Sequence, residues 1–144
     1  LQFNRSLIAS PYYIVVRRRG QALLSFFKLR LIVDRKDIYP LGGNTIVIPV
    51  SGTDANIVAT DGFHFTRPLQ LHYDRPGYYE LSVCCAIDDL ELLGGGFLLV
   101  FFYLTGFFTD LFVLKLLSFI PVLYFLFRYY FSRRSFIRFV PARR

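Results

Sequence analysis

Hydrophobic and polar positions divide the chain into two parts of different texture. Between residues 29 and 87, short runs rich in Val, Ile, Leu and Tyr are broken every few positions by Gly, Pro, Asn and Asp, whereas from Leu92 to Phe131 apolar residues continue almost without a break. In the first part the pattern predicts strands at 29–33, 38–41, 45–50, 56–60, 69–73 and 78–87. They are separated by Asp34-Arg35-Lys36-Asp37, Gly42-Gly43-Asn44, Ser51-Gly52-Thr53-Asp54, Asp61-Gly62 and Asp74-Arg75-Pro76-Gly77. These are turn residues: Gly tolerates positive φ, Pro presets φ, and Asn and Asp bond their own backbone. Strands recurring every ~8–12 residues with such punctuation make a small antiparallel β-sandwich or barrel. No strand–helix–strand alternation appears. Residues 1–28 read as a lead-in, in which 12–17 fit a further strand and 23–27, flanked by Arg and Lys, fit a short amphipathic helix at a bilayer surface. The β-sandwich domain itself is expected over 29–91.

The second part has membrane texture. About 20 apolar residues in a helix cross the ~30 Å hydrocarbon layer; the stretch over 92–131 is about twice that long and carries only Asp110, Lys115 and Arg128 as formal charges. Thr105, Gly106, Thr109 and Asp110 interrupt it near its middle, which predicts helices over 93–108 and 111–131 joined by a tight turn, a transmembrane helical hairpin. Core helices of a soluble domain are the competing reading, but two of this length exceed what so small a domain can cover. Gly94-Gly95-Gly96 is poor helix material and admits close backbone approach. It therefore reads as a flexible joint leading into a short first helix, with a re-entrant or interfacial helix as the alternative. Gly94, Gly95, Gly96, Phe101, Phe102, Gly106, Phe119 and Phe125 are the expected packing residues toward a membrane partner.

Composition agrees: 54% hydrophobic and 19% aromatic residues are too many for an ordinary soluble domain. Charge adds orientation. Residues 1–110 hold ten Lys and Arg against ten Asp and Glu, so the whole net charge of +7 comes from Lys115, Arg128, Arg133, Arg134, Arg138, Arg143 and Arg144. Short flanks rich in Lys and Arg stay in the cytoplasm, so the expectation is a bacterial inner-membrane protein with both termini and the β domain cytoplasmic. Arg17-Arg18-Arg19 and the lack of a secretory pattern at the N-terminus agree with that placement. Absence of Met, with Leu1 first, suggests a trimmed or processed start. Over 132–144, Phe136, Ile137, Phe139 and Val140 interleave with Arg133, Arg134 and Arg138, the pattern of a basic interfacial tail. Arg128, Arg133, Arg134 and Arg138 are accordingly expected at anionic lipid headgroups rather than on nucleic acid. Tyr124, Tyr129 and Tyr130 suit an aromatic belt at that boundary, and Lys115 is placed to snorkel toward Asp110.

Candidate chemistry is sparse. His64 and His72 are the only histidines, with Asp61, Asp74, Cys84, Cys85 and Asp88 as further candidate ligands, and none has the local spacing of a zinc site. Both histidines are expected exposed or satisfied on strands. The adjacent Cys84 and Cys85 point to opposite faces of a strand and cannot readily bridge each other; they read as small core and surface residues of a reducing compartment. The apolar helices contain no His, Met or Cys to ligate haem. Neither Ser51-Gly52-Thr53 nor Ser82 sits in a nucleophile elbow, and Gly94-Gly95-Gly96 lacks the Lys-Ser or Lys-Thr of a phosphate loop. No catalytic, cofactor or metal residue is therefore expected. Asp88, Asp89 and Glu91 form an acidic collar before the membrane segment, or a contact for a basic partner or a divalent ion.

The stretch Leu31-Ile32-Val33-Asp34-Arg35-Lys36-Asp37-Ile38, then Gly42-Gly43, then 45–50 followed by Ser51-Gly52, resembles PEGA-like carrier sandwiches and small uncharacterised membrane proteins common in Bacteroidota. The likeness spans residues 29–90, with Arg35 where a turn glycine is usual and Ser51 where proline is. It implies a compact surface-binding or scaffolding sandwich without catalysis. Together these readings lead to a non-catalytic accessory or structural subunit of a larger integral membrane complex. The alternative is a free-standing membrane-anchored module that recognises a peptide, glycan or lipid.

Overall fold

In the computed structural model of the chain, residues 11–43 and 45–141 are described. They form β1 (Tyr12–Arg18), α1 (Ala22–Ser25), β2 (Arg30–Val33), β3 (Asp37–Pro40), β4 (Thr45–Val50), β5 (Asp54–Thr60), β6 (Leu69–His72), β7 (Gly77–Cys85), α2 (Asp89–Phe108), α3 (Phe112–Leu117), α4 (Ile120–Phe131) and β8 (Ile137–Pro141). The strands make two four-stranded sheets, ordered β4-β1-β7-β8 and β3-β2-β5-β6. All pairings are antiparallel except β1 with β7, where Ile14 lies opposite Tyr79.

Period-two alternation sets the inward faces. Ile14 and Val16, Ile48 and Val50, and Leu81 and Val83 of the first sheet are buried, as are Leu31 and Val33, Ile57 and Leu71 of the second, and all belong to one core cluster. Each such side chain contributes about 1.5–3 kcal/mol when fully buried, so the core of the chain sits in its β part. The Tyr73 hydroxyl ties the sheets further by donating to the Tyr13 carbonyl at 2.8 Å.

Four expectations need correction. The lead-in is part of the domain: β1 is an inner strand, and Leu24 of α1 is fully buried, so the 23–27 cluster serves the core. Residues 1–10 of that lead-in lie outside the described part. Of the expected tail over 132–144, the described residues up to 141 are not a separate interfacial segment, and 142–144 lie outside the described part. Ile137–Pro141 pairs with β7, Cys85 opposite Ile137, and Phe136 and Ile137 are 1% and 0% exposed. The alternation of Ile137, Arg138, Phe139 and Val140 suits a strand as well as an interfacial segment, and its partner lies more than fifty residues upstream. The domain therefore extends past 29–91 at both ends, and the helices are an insertion between two adjacent strands. Finally, Gly94-Gly95-Gly96 is no joint, because α2 runs through it from Asp89.

Asp89–Phe108 and Phe112–Phe131 are each 20 residues long, with mean hydropathies of 1.7 and 1.6, long and apolar enough to cross a membrane. Only 6% of either is buried, the reverse of a soluble core helix. The second is broken at Ser118 and Phe119, where Pro121 withholds a backbone donor from the first turn of α4. Two glycines bring the helices together. A Cβ on Gly95 would run into the Phe125 ring, and one on Gly106 would stand 2.8 Å from the Lys115 amide nitrogen and 3.1 Å from the Leu111 carbonyl oxygen. The turn closes with Asp110 in the left-handed region at φ 55°, its carboxylate 3.3 Å from Lys115 Nζ.

Candidate functional site at the domain–hairpin junction

Where the hairpin leaves and rejoins the β domain, polar side chains converge. On the leaving side, Gln21 is buried just before α1. Its Oε1 accepts from the Cys85 amide at 2.6 Å, and its Nε2 donates to the Cys85 carbonyl at 3.3 Å and to Asp88 Oδ1 at 2.8 Å. One side chain thus satisfies the backbone that turns from β7 into α2. The neighbouring Asp89 carboxylate accepts from the Ala22 amide at 2.8 Å, answering an orphan donor at the start of α1. Glu91 accepts from the Tyr124 hydroxyl at 2.7 Å and stands 3.8 Å from Arg128. All three carboxylates of the acidic collar are engaged within the chain.

On the returning side stands His64, fully buried. Its Nδ1 meets Asp61 Oδ2 at 2.8 Å and its Nε2 meets the Tyr129 carbonyl oxygen at 2.9 Å. Neither an ionised carboxylate nor a carbonyl can donate, so each contact is a hydrogen bond when the ring nitrogen facing it carries the proton. The Tyr129 carbonyl belongs to the last turn of α4, where intrahelical donors have run out. Burial works to raise the Asp61 carboxyl, but hydrogen bonds from the His64 ring and from the His64 and Phe63 amides outweigh it and hold the group below its ordinary range. Aromatic rings enclose the pair: Phe136 stacks on His64 at 4.4 Å, Tyr129 meets it edge-on at 4.5 Å, and Phe63 stacks on Tyr129 at 5.5 Å. Arg128 closes the gap between the two sides by donating to the Ala86 carbonyl at 3.1 Å.

The expected headgroup arginines part company. Arg128 is held in the junction. Arg133 and Arg134 line a cavity of about 930 Å³ together with Arg67 of the β5–β6 connection, a residue that no sequence pattern singles out. Arg134 and Arg67 also border a second cavity of about 320 Å³, which Arg138 lines as well. The expected packing residues divide too. Gly95, Gly106 and Phe125 pack within the hairpin, Gly94 and Gly96 face open space, and Phe101 and Phe119 are more than half exposed, with Phe102 half-buried.

The other candidate residues are spread out. His72 is exposed on β6, its Nδ1 2.6 Å from Asp54 and its Nε2 3.5 Å from Asp74; the hydrogen bond and charge of Asp54 raise the imidazole above its ordinary value. Cys84 and Cys85 are both buried and unbridged, and desolvation by burial pushes the Cys85 thiol up, so it stays protonated at neutral pH. Among the described residues no three His, Cys, Asp or Glu side chains are grouped to hold a metal ion. No protein-family model, curated protein or solved structure matches the chain.

Proposed function

We propose that the protein is a non-catalytic structural subunit of a larger integral membrane complex, in which the hairpin packs beside other spans and a β-sandwich is held against the membrane face to cover or link subunits. The observation that carries this reading is the junction. A tethered recognition module works on a flexible linker, whereas here Gln21, His64 and Arg128 bond the hairpin to the domain at both of its ends. Such bonding fixes the pose of the domain. Pairing of β7 with β8 makes the inserted segment begin and end at neighbouring strands, so a hairpin that crosses the bilayer returns to the side it left. With every excess positive charge after Asp110, the side favoured for the domain is the cytoplasmic face of a bacterial inner membrane. The shared core of the two sheets supports the sandwich reading. Phe97, Phe101, Phe119 and Phe127 offer exposed aromatic surface for packing against other spans.

Gentle solubilisation tests the proposal. The chain should migrate in a stoichiometric assembly with other membrane proteins, and migration as a lone chain in several mild detergents would overturn it. The rival reading, a free-standing module that binds a peptide, glycan or lipid, draws its support from the arginine-lined cavity.

A further inference from the structure

The cavity between the Gly62–Pro68 segment and the residues just after α4 combines three features. First, its lining carries Arg67, Arg133 and Arg134 and no carboxylate. None of the three forms an ion pair among the described residues, although the chain has acids near enough in sequence to have provided one, Asp61 being bonded to His64 instead. Secondly, Arg133 is held in place: its guanidinium lies 3.9 Å above the Phe63 ring, which is itself stacked on Tyr129, and its carbonyl accepts from the Phe65 amide at 3.2 Å. A cation stacked on an aromatic face loses little further freedom on meeting an anion. Thirdly, the cavity has an apolar wall of Phe63, Phe65 and Pro68 beside the guanidinium groups, and Arg133 and Arg134 follow Phe131, the last residue of the second apolar helix, by two and three positions. Convergence of planar cations suits a phosphate oxygen cluster, which Arg meets with paired N–H donors.

We infer that this cavity is a binding site for a phosphate group, held by Arg67, Arg133 and Arg134, in a position where the headgroup of an anionic membrane lipid can reach it. The site joins two regions distant in sequence, and Arg67 is the residue that separates it from a merely basic tail. It does not depend on which subunits the helices meet.

The full chain, purified in detergent, is offered phosphatidylglycerol or phosphatidylcholine and its bound lipid is counted by native mass spectrometry; inorganic phosphate is titrated in a parallel arm. Phosphatidylglycerol should be retained over phosphatidylcholine, and Arg67→Gln or Arg134→Gln should each weaken retention roughly five- to tenfold. Arg75→Gln, which removes an arginine from a distant turn, should leave it unchanged. Both test positions are exposed, and with two of them a folding defect in one leaves the other to report. Binding of inorganic phosphate that depends on Arg67, without lipid retention, keeps the phosphate site and names a soluble source. Equal losses in all three variants, no loss in the folded Arg67 and Arg134 variants, or no binding of either probe overturns the inference.

Discussion

His64 shows how much one buried residue can hold. Replacing it with Ala leaves the Asp61 carboxylate buried without its ring partner and the Tyr129 carbonyl without a donor. Breaking a buried pair from one side costs about 3–5 kcal/mol, so His64→Ala should lower the thermal midpoint of the detergent-solubilised protein sharply and expose the Ser132–Ser135 region to protease. The dependence on pH follows from Asp61, whose carboxyl lies below 3.8 in the folded chain. A group lowered by folding stabilises above its unfolded value and loses that contribution as pH falls through its folded one. The contribution of Asp61 should therefore be present above 3.8 and fade only as pH falls further, through the lowered folded value. His72 behaves oppositely, since its imidazole is raised above 6.5: its contribution is complete below that value and fades as pH rises through the folded one. The NMR titration of His72 should show a raised midpoint that Asp54→Asn brings back toward 6.5. Little of this was legible in the sequence. The two histidines look alike there, and the bond that distinguishes His64 reaches Tyr129, 65 residues along the chain.

Among the elements, those with strong local periodicity were legible and those that depend on distant partners were not. Strands 45–50 and 69–73 and both apolar helices stand within a residue or a few of their expected limits, because turn chemistry and apolar length are local properties. The glycine run misled for the opposite reason: propensity argues against helix at about 1 kcal/mol per Gly, but packing of Phe125 on Gly95 and the length of the apolar run override it. Gly106→Ala should open the hairpin, since the added Cβ meets backbone atoms of the returning helix, whereas Gly94→Ala, with open space around it, should raise helix stability slightly. Crosslinking between cysteines placed at Phe102 and Leu114 would read the difference. In the β2–β3 turn, Asp34 and Arg35 have φ of 50° and 59°. A non-glycine residue in that region carries roughly 1–2 kcal/mol of strain, so Arg35→Gly should stabilise the domain, by somewhat under 1 kcal/mol once the freedom of glycine in the unfolded chain is counted. Chemical denaturation of the two variants side by side checks it.

At the scale of the molecule, the order of elements matters more than any one of them. A β domain followed by a hairpin and a tail is what a linear reading yields, because each segment is judged by its own pattern. Folding the last described strand back against β7 turns the hairpin into an insertion whose two ends share one sheet. It also explains why Gln21, His64 and Arg128 gather where they do: they satisfy backbone groups at the two crossings between strand and helix, and the acidic collar bonds to Gln21, to the start of α1 and to Tyr124 and Arg128. The account predicts that the tip of the hairpin and the β domain lie on opposite sides of a bilayer. Cys84 and Cys85 are buried, so single reporters at Asp110→Cys and Arg75→Cys can be labelled with an impermeant thiol reagent in the otherwise unaltered chain. Position 110 should react in intact cells and position 75 only after permeabilisation; reaction of both from the same side would contradict a hairpin that crosses the membrane.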